Sequence, residues 1–144
     1  MGDQAAERPA QVIGEVVWTD LTVDDADGLR DFYAEVVGWQ VTSLGMPAPE
    51  DGPGAGEDYA DHVMESVAPD GTTGAVAGVC HARGTNRGMP PQWLLYVRVA
   101  DLGASVAAVE ARGGRVLQGP RSMGSGTLAV IQDPAGAVLG LWAD

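Results

Sequence analysis

The chain has 144 residues, 45% of them apolar, and its 20 acids against eight arginines and no lysine give a net charge of −12. No run of 18 apolar residues occurs, so no membrane-spanning helix is expected, and the acidic balance argues against nucleic acid as a partner. Residues 1–12 lack the basic-then-apolar layout of a secretory leader, and the single cysteine, Cys80, permits no intrachain disulfide, which fits a reducing cytoplasm.

In chain order, Val16–Val23 alternates and is rich in β-formers, so it reads as a strand. Asp25 or Asp27 caps a helix near 26–37, with Leu29, Phe32, Tyr33, Val36 and Val37 as its apolar stripe and Gly38 as its stop. Strands are expected at Gln40–Leu44, His62–Val67 and Ala75–Cys80, the last two joined by a turn at Pro69-Asp70-Gly71. The second half repeats the order: a strand at Leu94–Val99, a helix near 102–112, then strands at Arg115–Gln118, Thr127–Gln132 and Ala137–Trp142. Gly124-Ser125-Gly126 and Asp133-Pro134-Ala135-Gly136 supply the turns.

The halves are related residue by residue. Val23, Asp25 and Gly38 match Val99, Asp101 and Gly114 at an offset of 76, and Gly74–Val79 matches Gly136–Leu141 at an offset of 62. The 14-residue difference is absorbed by Gly45–Asp58, a stretch of glycine, proline, alanine and acid that reads as an inserted surface loop. The expectation is one domain, 1–144, of α+β class. Two βαβββ modules, 12–80 with the 45–58 insert and 91–142, form an eight-stranded sheet curled around a cleft.

Tandem βαβββ modules, together with Asp31-Phe32-Tyr33 through Val37-Gly38-Trp39 and with Asp133-Pro134-Ala135-Gly136 before the last strand, resemble the vicinal oxygen chelate superfamily. That group holds glyoxalase I, bleomycin-resistance proteins and extradiol dioxygenases. The resemblance implies a shared cleft, often in a homodimer, and in the enzymes a divalent metal held by four side chains from the first and fourth strands of each module. Carried over, those positions are Trp18, Gly78, Leu94 and Gly140. None offers a metal-donating side chain, so no metal and no other cofactor is expected. Phosphate-cradling and dinucleotide motifs are also lacking.

Strand alternation then selects the residues facing the cleft. Val17, Leu21 and Val23, and likewise Leu95, Val97 and Val99, are expected to pack on the helices. Trp18, Asp20, Cys80, Tyr96, Arg98 and Trp142 are expected to line the cleft, with His81 at its mouth. Such a lining suits stacking on a planar ligand with one or two polar contacts. The same residues allow plainer readings: Trp18 and Trp142 as core filling, Asp20 with Arg98 as an ion pair, Cys80 as an inert small hydrophobe, and His62 as solvent-facing. Three functions follow. The first is metal-free binding, or sequestration, of an aromatic or cationic small molecule such as an antibiotic. The second is a lyase, isomerase or dioxygenase-type enzyme working through His81, Tyr96 and Asp20. The third is a partner-binding domain using the 45–58 loop.

Overall fold

A computed structural model describes residues 11–144; the start of the chain, on which the leader reading partly rests, lies outside the described residues. The elements are β1 Val16–Val23, α1 Ala26–Val37, β2 Gln40–Met46, β3 Tyr59–Val67, β4 Thr73–His81, β5 Trp93–Arg98, α2 Leu102–Ala111, β6 Arg115–Met123, β7 Gly126–Gln132 and β8 Val138–Ala143, with a short 3-10 turn at Gly84–Asn86. The strands form one open mixed sheet in the order β2-β3-β4-β1-β5-β8-β7-β6. Each half therefore repeats the same plan, its first strand parallel to its fourth. The halves meet where β1 runs antiparallel to β5, with Asp20 opposite Leu94 and Trp18 opposite Tyr96.

Both helices start as the sequence dictates. Asp25 accepts a hydrogen bond from the Gly28 N–H at 2.9 Å, and Asp101 accepts one from Ala104 at 3.0 Å, which satisfies amides that the first turn leaves without partners. Gly38 ends α1 at φ +85°, a left-handed conformation that costs glycine little.

Side-chain alternation divides the interior into three clusters. Ala26, Leu29 and Tyr33 of α1 pack on Met64, Ala77 and Val79. Leu102, Val106 and Val109 of α2 pack on Ala129, Ile131 and Leu141. The intervening residues Leu128 and Val130 turn to the opposite face, where they join Leu94, Tyr96 and Met89. That face is the concave one.

Four expectations need correction. The α1 stripe is narrower than read: Phe32, Val36 and Val37 are 54%, 64% and 51% exposed, because only Leu29 and Tyr33 of that set reach the sheet. Leu95 is 48% exposed rather than packed on a helix, since it belongs to none of the three clusters. Val17 joins the concave face beside Trp18, because a register shift between Val16 and Trp18 breaks the alternation of β1. β6 runs on to Met123 through two further irregularities instead of ending at Gln118. The inserted loop lies between Met46 and Tyr59, closed on itself by the Gly56 N–H donating to the Pro49 carbonyl at 3.0 Å.

Candidate binding cleft

A cavity of about 530 Å³ opens on the concave face. β1 contributes Val17, Trp18 and Asp20, β5 Tyr96, β7 Leu128, β8 Trp142, and the β6–β7 hairpin closes one side with Met123, Gly124 and Ser125. Two glycines make room for this lining. A Cβ on Gly140 would fall on the Tyr96 ring, and one on Gly126 would fall on the Trp142 indole. Gly78 lies against the Asp20 Cβ, at 3.1 Å from where its own Cβ would sit. The space beside Gly78 and Gly140, two of the positions that the resemblance assigns to metal ligands, is thus taken by Asp20, Trp18 and Tyr96.

Asp20 is the acid at the floor. It is 7% exposed, and its Oδ1 has no hydrogen-bond partner among the described residues. Burial pushes its carboxyl up to about 6, and the charge of Asp61 adds to this; a hydrogen bond with Tyr96 and the positive charge of Arg121 pull the other way. Tyr96 is itself held well above the usual phenol range, chiefly by burial and then by the charge of Asp20. Cys80 shares this face, with its Sγ 3.6 Å from the notional Gly78 Cβ, but it is not part of the cavity wall. Burial, with Asp61 and Asp20 nearby, drives its thiol far upward, so it carries very little thiolate.

Arg121 is the cation that sequence reading missed. It lies opposite Leu128, a concave-face residue, so continuing β6 past Gln118 would have revealed it. One of its Nη2–H groups donates to Asn86 Oδ1 at 3.0 Å, which pins the 82–92 connector to β6; Gln118 adds a second tie to the Arg87 carbonyl at 2.8 Å. Its Nε is buried and has no partner among the described residues.

Two expected site residues lie elsewhere. Arg98 does not pair with Asp20. It donates to Asp144 and Glu15, each at 2.8 Å, at the end of β5 and outside the cavity wall. His81 follows Ala77 and Val79 on the helix face, not the cleft mouth. Its Nδ1–H donates to the Ala60 carbonyl at 2.8 Å, and its backbone N–H to Asp61 at 2.8 Å.

His62, read as solvent-facing, is 1% exposed and lies beside His81, their ring centres 6.2 Å apart. Its Nε2 is 2.8 Å from Asp27 Oδ1 on α1 and its Nδ1 is 2.9 Å from Ser43 Oγ on β2. The Asp27 carboxylate only accepts, so Nε2 carries the proton and Nδ1 accepts from the serine hydroxyl. This chain of bonds ties α1 to the sheet. It also holds the Asp27 carboxyl below the usual carboxylate range. Among the described residues, no three His, Cys, Asp or Glu side chains are grouped to hold a metal ion, and no helix is long and apolar enough to cross a membrane.

Residues 15–141 match the sequence model of the Glyoxalase/Bleomycin resistance protein/Dioxygenase superfamily. CFP32 of Mycobacterium bovis, which carries a provisional glyoxylase name, is 32% identical over 126 residues, covering 87% of this chain and 44% of that protein. The anthracycline biosynthesis protein DnrV of Streptomyces peucetius is 30% identical over 132 residues, covering 90% and 46%. The chain thus spans about half the length of these curated relatives. A methylmalonyl-CoA epimerase from Streptomyces coelicolor, solved with 2-nitronate-propionyl-CoA, shares the fold at a TM-score of 0.54 and 16% identity, over 92% of this chain and 99% of that one.

Proposed function

The chain belongs to the glyoxalase/bleomycin resistance protein/dioxygenase superfamily, and within it we propose a metal-free binding protein that holds, and can sequester, an aromatic or cationic small molecule such as an antibiotic. The observation that carries this reading is the cavity itself: about 530 Å³, walled by Trp18, Tyr96 and Trp142, with one carboxylate at its floor. A volume of this size with mostly apolar walls and few polar groups suits a drug-sized planar ligand, and aromatic walls reward ring stacking.

The donor set supports the same reading. At the four positions that the family resemblance assigns to metal ligands stand an indole, an isobutyl group and two glycines, none of which offers imidazole, carboxylate, amide or thiolate. These residues do not fit a divalent ion, and no step of the mechanism passes through one. Binding instead places the ligand plane against Trp18 and Trp142, with its polar edge toward Asp20. The acidic surface draws cations to the molecule and so speeds their encounter. The working form in this proposal is a homodimer, which light scattering on the purified protein would test. A relative named for anthracycline biosynthesis fits a small-molecule ligand.

The test is titration with a panel of planar aromatic compounds, read by tryptophan fluorescence. A ligand that quenches should bind about tenfold more weakly to Trp18→Ala, the loss of one stacking surface being worth roughly 1.4 kcal/mol. If Trp18→Ala and Asp20→Asn both leave the affinity unchanged, the cleft is not the binding site. One observation favours a second reading, acid–base catalysis by Asp20 with Tyr96 beside it: a carboxyl pushed up to about 6 exchanges its proton near neutral pH. Turnover of a bound compound, lost in Asp20→Asn while binding persists, would establish it. His81 drops out of that reading, because it faces the helix α1.

A further inference from the structure

Arg98 lies outside the cavity wall, yet its bonds lead back to that wall. β5 and β8 run parallel with Arg98 opposite Trp142, so the two residues stand side by side in the sheet. The guanidinium spans two acids, one just before β1 and one just after β8. Its Nη1–H donates to Glu15 Oε2 and its Nε–H to Asp144 Oδ2, each at 2.8 Å. The other oxygen of the same carboxylate, Asp144 Oδ1, accepts from Trp142 Nε1–H at 3.3 Å. One carboxylate thus joins the guanidinium to the indole. Its carboxyl is held below the usual range, first by the hydrogen bond from Arg98 and next by the one from Trp142, so it stays ionised and accepting at neutral pH.

An indole turns about two side-chain bonds, and a stacking wall serves a ligand best when the ring is in place beforehand. Two contacts restrict Trp142. Gly126 backs one side of the ring, where a Cβ would overlap Cε2 and Cζ2. Asp144 holds Nε1, the atom bonded to that same Cε2. Asp144 follows the last strand and needs an anchor of its own, which Arg98 supplies and Glu15 steadies. We infer that Arg98 is a positioning residue for the cleft: through Asp144 it fixes the Trp142 ring in the orientation that forms the cavity wall. This rests on the cleft being the binding site, and it adds the device that sets one wall before a ligand arrives.

Protein labelled with fluorotryptophan, its Trp142 signal assigned with Trp142→Phe, reads the ring directly by fluorine NMR. In Arg98→Met and in Asp144→Ala that signal should shift or broaden, while those of Trp39 and Trp93, in the cluster under α1, stay in place. Calorimetric affinity for 2-naphthol should fall about threefold in each variant, as for the loss of one hydrogen bond. The double variant should bind no worse than either alone, because both residues act through one chain of bonds. Asp144→Asn keeps an oxygen for the indole and should recover part of the loss. Melting temperatures should stay within about 3 °C of the parent, since exposed ion pairs contribute little to stability. Should Arg98→Met fail to fold, Glu15→Gln loosens the same guanidinium from its far side and should move the Trp142 signal likewise. A Trp142 signal unmoved in Asp144→Ala, unchanged affinity in both variants, or losses that add in the double variant overturns the inference and leaves the cleft reading standing. No binding of any planar probe by the parent protein removes the cleft reading, and the inference falls with it.

Discussion

Asp20 couples the cleft to pH. Its carboxyl titrates near 6 in the fold against 3.8 as the ordinary value, so between those limits the folded chain holds a proton that the unfolded chain has released. Stability from this group is therefore greatest below 3.8, falls as pH rises toward about 6, and stays low above that. The full swing is roughly 3 kcal/mol at most. Asp20→Asn removes it: in urea melts the variant should match the parent near pH 4 and exceed it by about 1–3 kcal/mol at pH 8. Equal stability at both pH values would show that the carboxyl is not desolvated. Cys80, beside it, should react with iodoacetamide far more slowly in the native protein than after unfolding, because burial suppresses the thiolate. Sequence alternation placed Trp18, Asp20, Cys80, Tyr96 and Trp142 on the concave face, since a period of two fixes the face wherever a strand is regular. It could not show that Arg98 is drawn off by Glu15 and Asp144, partners 83 and 46 residues away. Arg121 follows two irregularities in β6, so it shows only when β6 is continued past Gln118 and paired back from the Gly124-Ser125-Gly126 turn, opposite Leu128.

The element with most at stake is α1, whose exposed Phe32, Val36 and Val37 contribute little to docking. What holds it is the small cluster around Ala26, Leu29 and Tyr33, the bond from Trp93 Nε1–H to the Tyr33 hydroxyl at 3.1 Å, and the Ser43–His62–Asp27 chain. His62→Ala should cost roughly 2–4 kcal/mol, from the cavity left behind and from the two hydrogen bonds lost. Its effect on ligand affinity should be small, because the ring lies on the face away from the cleft; a variant that melts normally but loses binding would contradict that placement. At α2, Asp101→Ala should cost about 1 kcal/mol through the lost cap, readable as a lower melting temperature. The helix starts were legible because an aspartate before an apolar run has a local cause. The burial of His62 was not, since its partner Asp27 lies 35 residues away on a different element.

At the scale of the molecule, one continuous sheet joins the two halves through β1 and β5. Separating them would leave two long unpaired edges, a poor state for either half. Unfolding followed by tryptophan fluorescence and by far-ultraviolet circular dichroism should therefore give coincident transitions, whereas two separate midpoints would mean that the halves fold independently. The repeat offsets make this architecture legible in the sequence, but they conceal how unequal the halves are. By those offsets Tyr96 is the counterpart of Asp20, Leu94 of Trp18, and Trp142 of Cys80. One copy presents a carboxylate and a thiol where the other presents a phenol and an indole, and the cavity draws most of its wall from the second copy. Changes confined to the C-terminal half would therefore reshape most of the cavity, while the N-terminal half kept its indole and its carboxylate unchanged.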